Sequence, residues 1–238
     1  MRFHARTDAG KRRPNNQDHL LICAELSLWA VADGMGGHAG GALASQIACR
    51  ALEQAVRAGG DLNDGFQRAH EAVCGHQLDS PELDGMGTTL VAVRGSGQAL
   101  ELGWVGDSRL YRLRDGVLDC LTRDQNVPQM LLAAGWIDED EVEHHPRQHV
   151  LTDCIGQRGD DGPTIEIRSL DLAAGDRLLL CSDGLSRELD NDRIRQLMAP
   201  PASPEQACDA LLLAALDAGG RDNVSVIVLD PAGAPETD

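Results

Sequence analysis

Three apolar runs of strand length each stop at an aspartate followed by a small residue: Leu28 to Ala32 before Asp33-Gly34, Leu102 to Gly106 before Asp107-Ser108, and Leu178 to Ser182 before Asp183-Gly184. A fourth acid, Asp222, stands in Arg221-Asp222-Asn223, immediately ahead of the strand pattern Val224 to Leu229. Short continuous apolar runs bounded by turn residues read as buried strands, so these acids sit where strands leave a core. Taken singly, an Asp-Gly after a strand is ordinary turn chemistry, because Asp bonds its own backbone and Gly accepts positive φ. Repetition of the pattern along the chain points further. Carboxylates fixed on rigid strand ends can converge, and their repulsion is costly unless cations sit among them. A polynuclear metal site is the first expectation.

The 238 residues suffice for one substantial domain, expected over residues 1–230 with an insertion at 124–156, while residues 231–238 read as a disordered tail. A formal charge of −17 argues against nucleic acid or an acidic membrane surface as partner. No segment approaches the about 18 apolar residues of a membrane span, and the N-terminus has no signal-peptide core, so a cytoplasmic location is expected. Arginines abound but Lys11 is the sole lysine, and no P-loop sequence occurs, which excludes a kinase-type nucleotide site. Seven cysteines occur without a C-x-x-C pair; Cys23, Cys49, Cys74, Cys154, Cys181 and Cys208 lie in apolar segments and read as reduced core residues. Nothing in the pattern obliges a dimer, and a monomer is expected.

Strands are expected near Phe3–Thr7, His19–Ala24 and Leu28–Ala32, followed by two successive helices over about Gly41–Ala58 and Leu62–Leu78. Four close-set strands then suggest a meander: Thr88–Val93, Ala99–Val105, Arg109–Arg114 and Val117–Leu121, with turns at Gly95-Ser-Gly97 and Asp115-Gly116. The insertion reads as helical, with Val127, Met130, Leu131 and Ala134 on one stripe. Strands at Thr164–Leu170 and Arg177–Cys181, a helix at Pro204–Ala218 and the closing strand complete the order. Strands in antiparallel groups and helices in pairs imply an α+β fold of two stacked sheets with helices outside, not a doubly wound sheet.

Three motifs invite other readings. Gly34-Met-Gly36-Gly-His-Ala39 satisfies a dinucleotide fingerprint, but Asp33 would face the pyrophosphate and the helix leads into another helix instead of a pairing strand. Cys181 to Arg187 fits the C-x5-R cradle of cysteine-dependent phosphatases, yet Asp183 inside it would repel phosphate and Cys181 ends a buried run. His144, His145 and His149 have no accompanying Cys, and Pro146 prevents a helical i, i+4 pair, so a solvated loop is expected there.

The ordered set Arg13-Pro-Asn-Asn-Gln-Asp18, Val31-Ala-Asp-Gly-Met-Gly-Gly-His38, Gly87-Thr-Thr89, Val105-Gly-Asp-Ser-Arg109, Cys181-Ser-Asp-Gly184 and Arg221-Asp-Asn-Val224 resembles the metal-dependent Ser/Thr protein phosphatases of the PP2C (PPM) type, in their small bacterial form. The resemblance spans about Thr7 to Leu229. It implies an α-β-β-α sandwich of two mostly antiparallel sheets flanked by helix pairs. It also implies a phosphatase domain over residues 1–230, whose variable flap is the 124–156 insertion.

By that resemblance, Asp33 would bridge two Mn2+ or Mg2+ ions, Gly34 would offer its carbonyl, and Asp183 and Asp222 would complete the first ion's ligands. Asp107 with Asp183 matches a third, weaker metal position, and Asp18 would act on the ions through water. Oxygen-only ligation suits these hard ions. A shared water, acidified to hydroxide, would attack phosphorus in line, with Arg13 binding the phosphate and His38 protonating the leaving oxygen. Phosphorylated proteins are the implied substrates, with a bacterial eukaryotic-type Ser/Thr kinase as the opposing partner. Gln17 stands where many members carry Glu, and Gln125 where many carry His. All the ligating acids are retained, and an active enzyme is expected.

Overall fold

Each apolar run and each helical stripe must cover its face against another element, and the computed structural model does so in four layers. It describes residues 1–36, 40–96, 99–159, 162–200 and 202–231. The chain begins with β1 (Arg2–Asp8), β2 (Asp18–Cys23) and β3 (Leu28–Met35), then two long helices, α1 (Gly40–Arg57) and α2 (Leu62–Asp79). Strands β4 (Gly87–Thr88), β5 (Leu90–Ser96), β6 (Ala99–Val105), β7 (Arg109–Arg114) and β8 (Val117–Cys120) follow. The insertion carries α3 (Val127–Ala133) and α4 (Glu139–Glu143). Last come β9 (Glu166–Asp171), β10 (Arg177–Cys181), α5 (Asp183–Ser186), α6 (Asn191–Met198), α7 (Pro204–Ala218) and β11 (Val224–Asp230).

One sheet runs β1-β11-β10-β7-β8 and the other β2-β3-β5-β6-β9, with β4 pairing β3. The pairings are antiparallel throughout. Strand periodicity explains why β3 reads as continuously apolar: Leu28, Ala30 and Ala32 face α1 and α2, while Trp29 and Val31 face the opposing sheet. Leu178 and Leu180 of β10 and Ile227 and Leu229 of β11 meet them from the other side. On the far face, Leu179, Val226 and Val228 pack under Ala207, Leu211 and Ala215 of α7 and Ile194 and Met198 of α6. Both α2 and α7 start in capping boxes, Asp61 with Asp64 and Ser203 with Gln206, which satisfy amides that the first turn leaves free.

Three expectations are corrected. The strand expected to end at Ala32 runs on through Asp33 to Met35, because Gly34 and Met35 find partners in Thr88 and Gly87. Nor do β5 to β8 form one meander: β6 pairs β5 and β9, and the chain then crosses to the other sheet. Gly106, at φ 100°, makes that crossing, clamped by Gln125, whose Oε1 accepts from its N–H at 2.7 Å and whose own N–H donates to its carbonyl at 3.0 Å. The stripe expected on α3 is not a core face, since Pro128 is its one buried residue and Met130 is exposed.

Other expectations match. Asp115 and Gly116 both take positive φ, as a two-residue hairpin turn requires. His144 and His149 are exposed. The sequence did not announce α5 and α6. Residues 97 and 98 of the expected Gly95-Ser-Gly97 turn lie outside the described residues, as does the expected tail beyond Pro231. No helix among the described residues is long and apolar enough to cross a membrane.

Candidate metal centre

Asp18 and Asp33 lie directly opposite each other on β2 and β3. Like charges so paired repel. Continuing the alternation of β3, Asp33 follows Trp29 and Val31 onto the face between the sheets. From the opposing sheet come Asp183, which opens α5 straight after β10, and Asp222, which precedes β11. Asp107 arrives from the β6–β7 crossing. Five acids from five chain segments thus gather at one end of the cleft between the sheets.

Their electrostatics report the crowding. Burial, and then the fields of Asp18, Asp183, Asp107 and Asp222 in that order, hold the Asp33 carboxyl well above the ordinary range. Burial likewise raises Asp18 to about 6. Asp107 rises to about 8 through burial and then the charges of Asp183 and Asp124, against the pull of Arg187 and Arg109. Asp183 is also raised, chiefly by burial.

The donor set suits hard divalent ions. Of four buried side-chain atoms found without a hydrogen-bond partner among the described residues, two, Asp18 Oδ1 and Asp183 Oδ1, are acceptors suited to a cation or its water. Among the described residues no three His, Cys, Asp or Glu side chains stand close enough together to hold a metal ion as they are placed. Two arginines lie against the acids. Arg187 Nη2 lies 3.1 Å from Asp107 Oδ2 and 2.7 Å from Asp183 Oδ2, and Arg13 Nη2 donates to Asp222 Oδ2 at 2.7 Å.

Uncharged residues beside the acids fix their backbones. Thr88 Oγ1 and the Thr89 N–H both donate to the Asp33 carbonyl, the Asp33 N–H donates to Thr89 Oγ1, and that hydroxyl also bonds Ser108 beside Asp107. Ser182 donates its hydroxyl to Asp18 Oδ2 at 2.8 Å. Asn223 donates from Nδ2 to the carbonyls of Ala9 and Asn15 and accepts the Gln17 N–H at Oδ1. It thereby sews the loop that carries Arg13 to the residue after Asp222. Close approach of backbones explains two glycines: a Cβ on Gly34 would sit 2.0 Å from the Gly41 carbonyl oxygen, and one on Gly184 1.9 Å from that of Asn223. Ser182, Thr89 and Asn223 were not singled out from sequence, although each lies in a quoted motif, and Arg187 entered only as the arginine of the rejected C-x5-R cradle.

Cys181 is fully buried and its thiol is pushed upward by burial, which leaves the C-x5-R motif without a thiolate. Arg13 reaches the acids on a half-exposed side chain and holds Asp222. Gln125 is occupied by Gly106 and, through Nε2, by the Thr164 carbonyl at 2.8 Å. His38 lies outside the described residues. A cavity of about 450 Å3 is lined by Asp107, Asp183 and Arg187 and also by Glu139 and Glu143 of α4.

Comparison with known proteins agrees with this architecture. The family model described as Protein phosphatase 2C matches residues 10–217. The serine/threonine protein phosphatase PstP of Mycobacterium tuberculosis is 40% identical over 236 residues, covering 97% of this chain and 45% of that protein. The chain therefore spans less than half of that relative. The serine/threonine phosphatase stp of Listeria monocytogenes is 30% identical over 245 residues, covering 97% of this chain and 96% of that one. Among solved structures, the catalytic domain of PstP in complex with two manganese ions superposes with a TM-score of 0.83 at 38% identity, covering 96% of this chain and 97% of that one. PppA of Pseudomonas aeruginosa, described as a regulatory component of T6SS, gives 0.83 at 33% identity, covering 95% and 96%. With the four-layer fold, the gathered acids and these likenesses in hand, the chain belongs to the protein phosphatase 2C family.

Proposed function

We propose that this chain is a metal-dependent protein serine/threonine phosphatase, acting in the cytoplasm on phosphoserine and phosphothreonine and opposing a bacterial eukaryotic-type kinase. One observation carries the reading: five carboxylates gather at one end of the cleft and act on one another, and buried oxygens of Asp18 and Asp183 there lack a hydrogen-bond partner. A site so charged is built to receive cations.

Asp33, Asp183 and Asp222, with the Gly34 carbonyl, would hold two Mn2+ or Mg2+ ions, and Asp18 would engage them through water. Ions bound there would supply a water acidic enough to attack phosphorus in line, with no covalent intermediate on the protein. The chain's own residues do the rest. Arg13, on a flexible and half-exposed side chain, exchanges its Asp222 contact for two phosphate oxygens, which a guanidinium fork matches. The Thr88, Thr89 and Ser182 hydroxyls keep the acids fixed while charge develops. His38 is proposed, on the resemblance, as donor to the seryl or threonyl leaving oxygen. The acidic wall of the adjoining cavity and the 124–156 segment above it give the flap a part in substrate choice.

Asp183→Asn tests the reading. The variant should lose Mn2+-dependent phosphate release from a phosphothreonine peptide by at least about 100-fold while keeping its circular dichroism. Undiminished turnover would refute the assignment.

A further inference from the structure

Asp107 and Asp183 are 5% and 8% exposed, so both carboxylates are buried and neither can rely on water to screen the other. A cation between them relieves their repulsion, and the chain supplies one. Arg187 Nη2 bridges Oδ2 of both acids, at 3.1 Å from Asp107 and 2.7 Å from Asp183. The bridge is set by the backbone: Asp183 opens α5, the Arg187 N–H donates to the Asp183 carbonyl at 2.9 Å, and the side chains share one helix face. The two oxygens of Asp183 are thereby divided. Oδ2 belongs to Arg187, while Oδ1 is buried and without a hydrogen-bond partner.

Arg13 differs in kind. It sits on a loop, is 53% exposed and touches one carboxylate, so it can leave. Arg187 is 34% exposed and would have to abandon two buried acids.

We infer that Arg187 is a built-in replacement for a third divalent ion: it fills the Asp107–Asp183 position, so the centre takes two ions where the resemblance allowed three. The inference rests on the metal-dependent reading above. It makes Arg187 a positioning residue, which fixes Asp183 for the two-ion centre with a charge that cannot dissociate or be removed by a chelator.

Equilibrium dialysis against Mn2+ with elemental analysis tests it on the full chain. Wild type should hold two ions, Arg187→Met three, and Arg187→Lys two. In EDTA, Arg187→Met should melt below wild type and Arg187→Lys should recover part of the loss, a readout independent of turnover. Three ions in wild type would overturn the inference and leave the phosphatase reading intact, and this arm stands even if Arg187→Met does not fold. Two ions in a folded Arg187→Met would overturn it equally. No manganese uptake by wild type would overturn the metal-dependent reading and the inference with it.

Discussion

Replacing Asp18 by Asn should stabilise the metal-free protein near neutral pH and leave it unchanged in acid. Asp18 is 9% exposed, faces Asp33 across the β2–β3 ladder, and has one carboxylate oxygen bonded by Ser182 and the other without a partner. Burial above all lifts its carboxyl from 3.8 to about 6. Because the folded value lies above the unfolded one, the group's favourable contribution is complete below about pH 4 and is lost as pH rises through about 6. At ~1.4 kcal/mol per pH unit, the ionised form costs the fold on the order of 3 kcal/mol above that window.

An amide of the same shape carries no charge, and its NH2 can donate to Asp33. For a chain of this size, each kcal/mol moves the melting temperature by about 2–4 °C, so the variant should gain roughly 6–12 °C near pH 8 in EDTA. Near pH 4 the two proteins should melt together. Differential scanning calorimetry at both pH values reads this directly. Saturating Mn2+ should narrow or invert the difference, because cations stabilise the intact acid set more. A variant that melts at or below wild type near pH 8 in EDTA would refute the reasoning, since the Asp18 charge would then be no burden.

Three further outcomes are expected. Gly184→Ala places a methyl 1.9 Å from the Asn223 carbonyl oxygen and should cost at least about 1–3 kcal/mol in urea unfolding, with reduced Mn2+ affinity as Asp183 and Asp222 are pushed apart. Asp230→Ala strands Arg177, which donates to Asp230 at 2.6 and 2.9 Å from a buried position, and should cost about 3–5 kcal/mol in the same assay. Cys181→Ala should keep chelator-sensitive phosphate release within about threefold of wild type, whereas a thiolate mechanism would lose it entirely.

The strands were legible because both faces of the central ones are covered. Leu28 to Ala32 alternate between two cores, and so the run reads as unbroken hydrophobicity. The helix pair after β3 was legible from its 3.6-residue stripe, as Phe66, Ala69 and Val73 remain buried. What escaped depends on contacts remote in sequence. Asp33-Gly34 has turn chemistry but stays in a strand because Thr88 and Gly87 pair with it, and the crossing at Gly106 rests on a Gln125 amide 19 positions away. Asp33, Asp107, Asp183 and Asp222 were legible from their repeated placement at strand boundaries, and Asp18 only through the resemblance. Arg187 was not, because its partner Asp107 lies 80 positions earlier. The α6 helix was overlooked although Asp190 caps it and Ile194 and Met198 share one buried stripe.

The Asn223 amide has a mechanical consequence. Since it grips three peptide groups between Ala9 and Gln17, the span from the loop of Arg13 to Asp222, the proposed phosphate and metal residues, is dictated by main-chain bonding. If the 124–156 segment selects substrates as proposed, sequence drift in its cavity-lining helices can therefore retune which targets enter while the span between Arg13 and Asp222 keeps its gauge.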